Sequence, residues 1–125
     1  MRLAVLDIGS NSAHLRVVDA YPGSAPLPLY RHKAPIRLAE TVDKDGALRP
    51  EGIARVLRAV GDALKTARSQ QVTEIIPIAT ATIRDAINRE EILDAVDSLH
   101  QVKLLQAAAD PSAADPRYRR LAAVR

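Results

Sequence analysis

The stretch "LAVLDIGSNSAHLRVVDA", residues 3–20, restricts the folds open to this chain more than any other. Arg2 to Ile8 is a short, nearly continuous apolar run, the pattern of a central strand covered on both faces, and Ser12 to Ala20 reads as a second strand. Only Gly9, Ser10 and Asn11 separate the two, so the pair is expected to fold back as a β-hairpin. The apolar run breaks at Asp7, which places a carboxylate at a strand end beside a small polar turn.

The rest of the chain supplies partners for that hairpin. Tyr21 to Pro28 reads as a loop and Leu29 to Leu38 as a third strand, with Pro35 breaking its far end. A helix is expected from Pro50, which suits the first helical position. Glu51 complements the helix dipole there, and Ile53, Val56, Leu57, Val60, Leu64 and Ala67 fall on one stripe that packs on a sheet. Thr73 to Ala79 is a further strand in which Pro77 lacks a backbone donor and argues for an edge or irregular position. A polar "TATIRDA" turn follows. Asn88 then caps a second helix, with Glu91 at its third position and Ile87 against Ile92 as a hydrophobic staple, and that helix runs to about Leu99. Val102 to Leu105 reads as a last strand. The fold class is α/β, a mixed sheet that starts with a hairpin and is packed by helices, over residues 1–105. The Ala-, Pro- and Arg-rich segment 106–125, with "AADP" twice, is expected to be disordered.

Composition narrows the chemistry. The 125 residues include 47% hydrophobic side chains but no Phe or Trp and only three Tyr, so the core must be built from Leu, Ile, Val and Ala. The absence of cysteine removes disulfides, thiolate zinc and thiol nucleophiles together and fits a cytoplasmic location. No run approaches the ~20 apolar residues of a membrane span, so a membrane partner is not expected. His14, His32 and His100 show no ligand spacing. The formal charge of +3 is interleaved along the chain, and Arg117, Arg119, Arg120 and Arg125 have no stacking aromatic beyond Tyr118, so nucleic acid is not an expected partner.

Two stretches carry candidate chemistry. Asp7 with Gly9, Ser10, Asn11 and Ser12 forms a phosphate cradle: glycine admits a close backbone approach, hydroxyls and amides bond phosphate oxygens, and Asp7 can hold Mg²⁺ through water. The same residues are also ordinary hairpin residues, and spacing alone leaves both readings open. The turn is not a P-loop, since it lacks the Lys-Ser/Thr ending and leads into a strand. The second stretch, "IATATIRDAINREE", places Thr80, Thr82 and Arg84 within about one helical turn, where two hydroxyls and a planar guanidinium can face one anion. A surface pair of Arg84 with Asp85 or Glu91 is the competing explanation. His14 on its strand, and Glu40, Asp43 and Asp45 in a polar loop, are weaker candidates for a base or a cation site.

Three blocks resemble the exopolyphosphatase/guanosine pentaphosphate phosphohydrolase (Ppx/GppA) family: "VLDIGSNSAHLRVVD", "IRLAETVDKDGALRPEGIARV" and "ATATIRDAINREEIL", in order over about residues 3–100. The resemblance implies a ribonuclease H-like half-domain of the actin-like ATPase superfamily. It further implies that Asp7, Gly9, Ser10, Asn11, Ser12 and Arg84 contact phosphate or metal, with Mg²⁺ and a water nucleophile removing terminal phosphate from polyphosphate or guanosine pentaphosphate. The chain departs from the family where a catalytic glutamate is expected, since no glutamate follows Glu91, and it lacks the second phosphate turn. The expectation is a truncated family member, inactive by itself, that self-associates or needs a complementing chain. The alternative is a non-catalytic polyphosphate-binding or interaction module.

Overall fold

The computed structural model describes residues 1–23, 25 and 27–106. Except for Gln106, the tail expected to be disordered lies outside the described residues.

The first two apolar runs form the expected hairpin, although burial in the first alternates instead of covering both faces. β1 (Arg2–Ile8) and β2 (Ser12–Asp19) pair antiparallel, with Leu6 opposite Leu15 and Asp7 opposite His14. Successive side chains on a strand point to opposite faces, so Ala4, Leu6 and Ile8 join Ala13, Leu15 and Val17 on one buried face. Asp7, His14 and Arg16 lie on the other. β3 (Leu27–Pro35) adds antiparallel to β2, with an irregularity between Val17 and Val18. It begins two residues earlier than expected and stops at Pro35 rather than Leu38. There Ile36 and Arg37 donate to the Asn11 carbonyl at 2.8 and 3.0 Å, and the chain enters a 3-10 turn over Leu38–Thr41.

The long amphipathic segment forms α1 (Pro50–Ser69), with Val56, Val60, Ala63 and Ala67 buried against the sheet. Its N-cap, Arg49, makes no side-chain capping bond. Gly52 in its first turn is buried, and a Cβ there would overlap Thr41 Oγ1 and approach Leu48 Cγ to 2.8 Å. Glycine is required at this position by the close approach.

β4 (Glu74–Ala79) returns parallel to β1, and β5 (Leu105–Gln106) pairs with its last two residues, giving the order β3-β2-β1-β4-β5. Pro77 is therefore not on an edge strand of the sheet. Thr80 N–H donates to the Ile8 carbonyl, so by alternation Ile76 and Ile78 also face β1 and the missing donor of Pro77 points away from it. On that side β5 begins only opposite Ile78, and no ladder bond is lost. The "TATIRDA" segment is not simply a turn, because Ala81–Arg84 forms a single helical turn, α2. α3 (Arg89–His100) packs on α1, helped by a 2.8 Å hydrogen bond from His100 Nε2 to the Leu57 carbonyl.

The cap of α3 differs from expectation. Ile87 is 71% exposed while Ile92 is fully buried, so no hydrophobic staple forms. Asn88 is the N-cap residue but makes no side-chain cap bond. Its Oδ1 accepts from Leu48 N–H at 2.8 Å, and its Nδ2 donates to the Leu48 carbonyl at 2.9 Å and to Glu91 Oε2 at 3.2 Å. The result is the expected α/β, ribonuclease H-like half-domain, with α1 and α3 on one face of a mixed sheet opened by a hairpin.

Candidate phosphate-binding site

Two segments separated by 72 residues meet where the parallel strands β1 and β4 end. In open α/β sheets ligands bind outside the carboxyl ends of such strands. At this end the Ile8 carbonyl accepts from both the N–H and the Oγ1 of Thr80, each at 3.1 Å. Beyond it, Ser10 Oγ and Thr82 Oγ1 share a hydrogen bond of 2.5 Å, joining the hairpin turn directly to α2.

The turn is held from behind. Gly9 N–H donates to the Ser12 carbonyl at 2.9 Å, the Ser10 carbonyl accepts from Ala39 N–H at 3.2 Å, and the Asn11 carbonyl accepts from Ile36 and Arg37. Its carbonyls are thereby turned inward. Among the described residues the Ser10 and Asn11 N–H groups at the tip have no backbone acceptor, which leaves them as donors for an anion. None of residues 9–12 has positive φ, so the mirror-image hairpin turns that require glycine are not used here. A Cβ on Gly9 would lie 3.4 Å from the Ser12 carbonyl oxygen and 3.7 Å from Thr80 Oγ1, which are ordinary contacts. Packing alone does not demand this glycine.

The remaining candidate residues divide by what already engages them. Thr80 has its hydroxyl committed to Ile8, so it fastens β4 to β1 and is no longer a free donor. Of Ser10 and Thr82, the hydroxyl that accepts the bond between them keeps its own proton for an anion. Arg84 lies one turn after Thr80, and its Nε donates to Asp85 Oδ1 at 3.1 Å while Nη2 reaches Oδ2 at 3.4 Å. That hydrogen bond, and then the Asp85 charge, raise the pKa of the guanidinium. The surface pair foreseen as the competing reading is thus present in the structure. Asp85 is exposed and Arg84 half-buried, and pairs open to solvent contribute little to stability, so a phosphate can compete for the same fork.

Asp7 is half-buried on the sheet face away from α1, with His14 and Ile78 as its neighbours across the strands. Among the described residues no group of three or more His, Cys, Asp or Glu side chains is assembled for a metal. A single carboxylate suits Mg²⁺, which keeps several waters and relies on one or two carboxylates plus substrate phosphate.

Two structural roles were not visible in the sequence. Asp43 organises the loop before α1: its Oδ1 accepts from Asp45 and Ala47 N–H at 2.9 and 3.0 Å, and the bond from Ala47 leads the effects that hold its carboxyl below the ordinary 3.8. Asn88 clamps that loop to α3. The Asx-turn pattern at Asp43 was a local signal that could have been read, whereas nothing local marks Asn88 as a partner of Leu48. A groove of about 390 Å³ lies between β3 and α1, lined in part by His32, Arg37, Arg55, Arg58 and Asp62. It includes none of residues 7–12 or 80–84, and Arg55 within it is already committed to the Ile36 and Arg37 carbonyls and to Glu40.

Comparison with known proteins follows the same outline. The model of the Ppx/GppA phosphatase family matches residues 16–104, beginning after the turn and including α2. Exopolyphosphatase 1 of Mycobacterium tuberculosis is 42% identical over 96 residues, covering 77% of this chain and 28% of the relative. Exopolyphosphatase 2 of the same species is 33% identical over 92 residues, 71% of this chain and 29% of that protein. The solved Ppx/GppA family member from Aquifex aeolicus superposes with a TM-score of 0.78 at 25% identity, over 87% of this chain and 35% of that one. The chain therefore spans less than a third of the length of these curated relatives.

Proposed function

This chain belongs to the Ppx/GppA phosphatase family, and we propose that it binds the terminal phosphates of linear polyphosphate at the joint between the β1–β2 turn and α2. The Ser10–Thr82 hydrogen bond carries the reading, because it brings two polar segments from opposite ends of the chain to one point at the carboxyl edge of the parallel strands. In this reading the Ser10 and Asn11 N–H groups donate to phosphate oxygens, as does whichever of the Ser10 and Thr82 hydroxyls accepts the bond between them and so keeps its proton. Arg84 exchanges Asp85 for a phosphate edge, which its fork can bind through two charge-assisted bonds. Gly9 leaves room for the anion to approach the backbone, and Ser12 and Thr80 hold the turn and β4 in register. Asp7 would hold Mg²⁺, whose charge would neutralise the phosphate oxygens. The relatives' names favour polyphosphate over a guanosine substrate, and Tyr30 packs against the core rather than offering a ring to a base.

Hydrolysis by this chain alone is not expected. No glutamate follows Glu91, and loss of a positioned general base costs roughly 10²- to 10⁴-fold.

The test is calorimetric titration of tripolyphosphate in Mg²⁺, with a parallel assay of released phosphate. Saturable binding, weakened roughly tenfold by Arg84→Ala or by Ser10→Ala and unaccompanied by phosphate release, is the expected result. Equal affinity in all three proteins would refute the site. Turnover that Arg84→Ala abolishes would refute the claim that the missing glutamate is decisive.

A further inference from the structure

The sheet face opposite α1 and α3 carries positive charge that the proposed site does not use. Register places Arg16 opposite Arg31 and His14 opposite Lys33. Residues two apart on a strand share a face, so the four side chains form a two-by-two block on one side. Asp7 is opposite His14, and one row of the face therefore runs from Asp7 through His14 to Lys33. The block begins two residues beyond Ser12.

Like charges directly opposite each other destabilise a sheet, and Asp7 stands opposite His14 rather than opposite Arg16, Arg31 or Lys33. Among the described residues Arg16, Arg31 and Lys33 form no ion pair. Arg16 Nη2 lies 3.5 Å from His14 Nδ1, while Arg16 Nε is buried without a hydrogen-bond partner. Burial first, and then Arg16, Arg31 and Lys33, lower the His14 pKa below the ordinary 6.5, with Asp7 acting in the opposite sense. An arrangement that is unfavourable by itself becomes favourable when a polyanion lies across it.

We propose that this block is a second subsite for linear polyphosphate, over which the chain runs once its end is held at Ser10, Asn11 and Thr82. The inference rests on the reading of the turn as the terminal-phosphate site. Strand rise of about 3.3 Å per residue puts the His14–Lys33 row roughly 7 Å and the Arg16–Arg31 row roughly 13 Å along β2 from Ser12, so short oligophosphates reach the nearer row at most and long chains cross both. Nucleic acid suits the block less well. Tyr30 and His32 sit opposite Val17 and Leu15 on the core face, so among the described residues of the block His14 is the single ring and no Tyr stands beside it to stack a base.

Arg31 and Lys33 are exposed, so the double variant Arg31→Gln/Lys33→Gln should fold, with a Tm equal to the parent's or higher as repulsion is relieved. Its binding in Mg²⁺ is compared for tripolyphosphate, for polyphosphate of several tens of phosphates and for a single-stranded oligonucleotide of matched charge. The expected result is a loss of roughly tenfold for the long chain, with a weaker dependence on salt, and a much smaller loss for tripolyphosphate. Unchanged long-chain affinity, or an equal loss for both phosphate probes, would overturn the inference. An oligonucleotide bound as tightly as long polyphosphate, and weakened equally by the variant, would overturn it in favour of nucleic acid. Ser10→Ala separates the two readings: it weakens tripolyphosphate if the turn is the terminal site, and if it does not, the underlying reading fails whatever the double variant shows.

Discussion

Gly52 is a glycine because the protein itself fills the space beside it, whereas at Gly9 the proposed ligand is what would need the space. At Gly52 the space is filled by Thr41 and Leu48 of the protein itself, so Gly52→Ala overpacks a rigid site. It is predicted to lower stability by about 1 to 3 kcal/mol in denaturant unfolding, despite the gain in helix propensity that alanine brings. At Gly9 the nearest atoms leave ordinary contact distances. Gly9→Ala is predicted to keep the parent Tm while weakening tripolyphosphate binding; a variant that binds as well as the parent would remove Gly9 from the site. Asp43 contributes through its charge state. Its folded pKa is lowered, so its stabilisation is fully present above the ordinary carboxylate pKa and is lost as pH falls through the lower folded value. Asp43→Ala should lower Tm at neutral pH, and the difference from the parent should shrink on acidification below about pH 4. A difference that persists at low pH would contradict this account of the loop.

At the scale of elements, the sequence was most legible where periodicity is long. The hairpin follows from two apolar runs separated only by residues 9–11, and the α1 stripe from spacing in residues 50–69 that repeats over enough positions to fix a buried face. The ends of elements were less legible, since tertiary partners decide them. Asn88 followed by Glu91 has the pattern of a capping box, yet the Asn88 amide is used by the Leu48 backbone 40 residues away. Ile87 is drawn the same way, with its N–H on the Gly46 carbonyl, and its side chain is left exposed. Pro77 pointed to an edge or irregular position, and β4 is indeed unpaired on that side there because β5 begins only opposite Ile78, although β4 as a whole is not an edge strand. Asn88→Ala should therefore cost about 1 to 3 kcal/mol, the penalty for leaving the part-buried Leu48 groups unsatisfied. A change within a few tenths of that of an exposed cap would show that the clamp is unimportant.

For the molecule as a whole, the three sequence blocks prove to be three sides of one joint. The first and third meet through Ser10–Thr82 and Ile8–Thr80, the first and second through the Ser10 and Asn11 carbonyls, and the second and third through Asn88–Leu48. The resemblance pointed to the turn and to Arg84 separately, but only the fold shows the turn fastened to α2. The basic block was legible only as separate charges, because it depends on the register of three strands. The central claim is that residues 9–12 and 80–84 act as one phosphate site. The most direct measurement is a titration of the isotopically labelled chain with tripolyphosphate and Mg²⁺, following backbone amide NMR shifts. Concerted, saturable shifts of Ser10, Asn11 and Thr82 with a common Kd are predicted; shifts in only one of the two segments, or in neither, would contradict the claim.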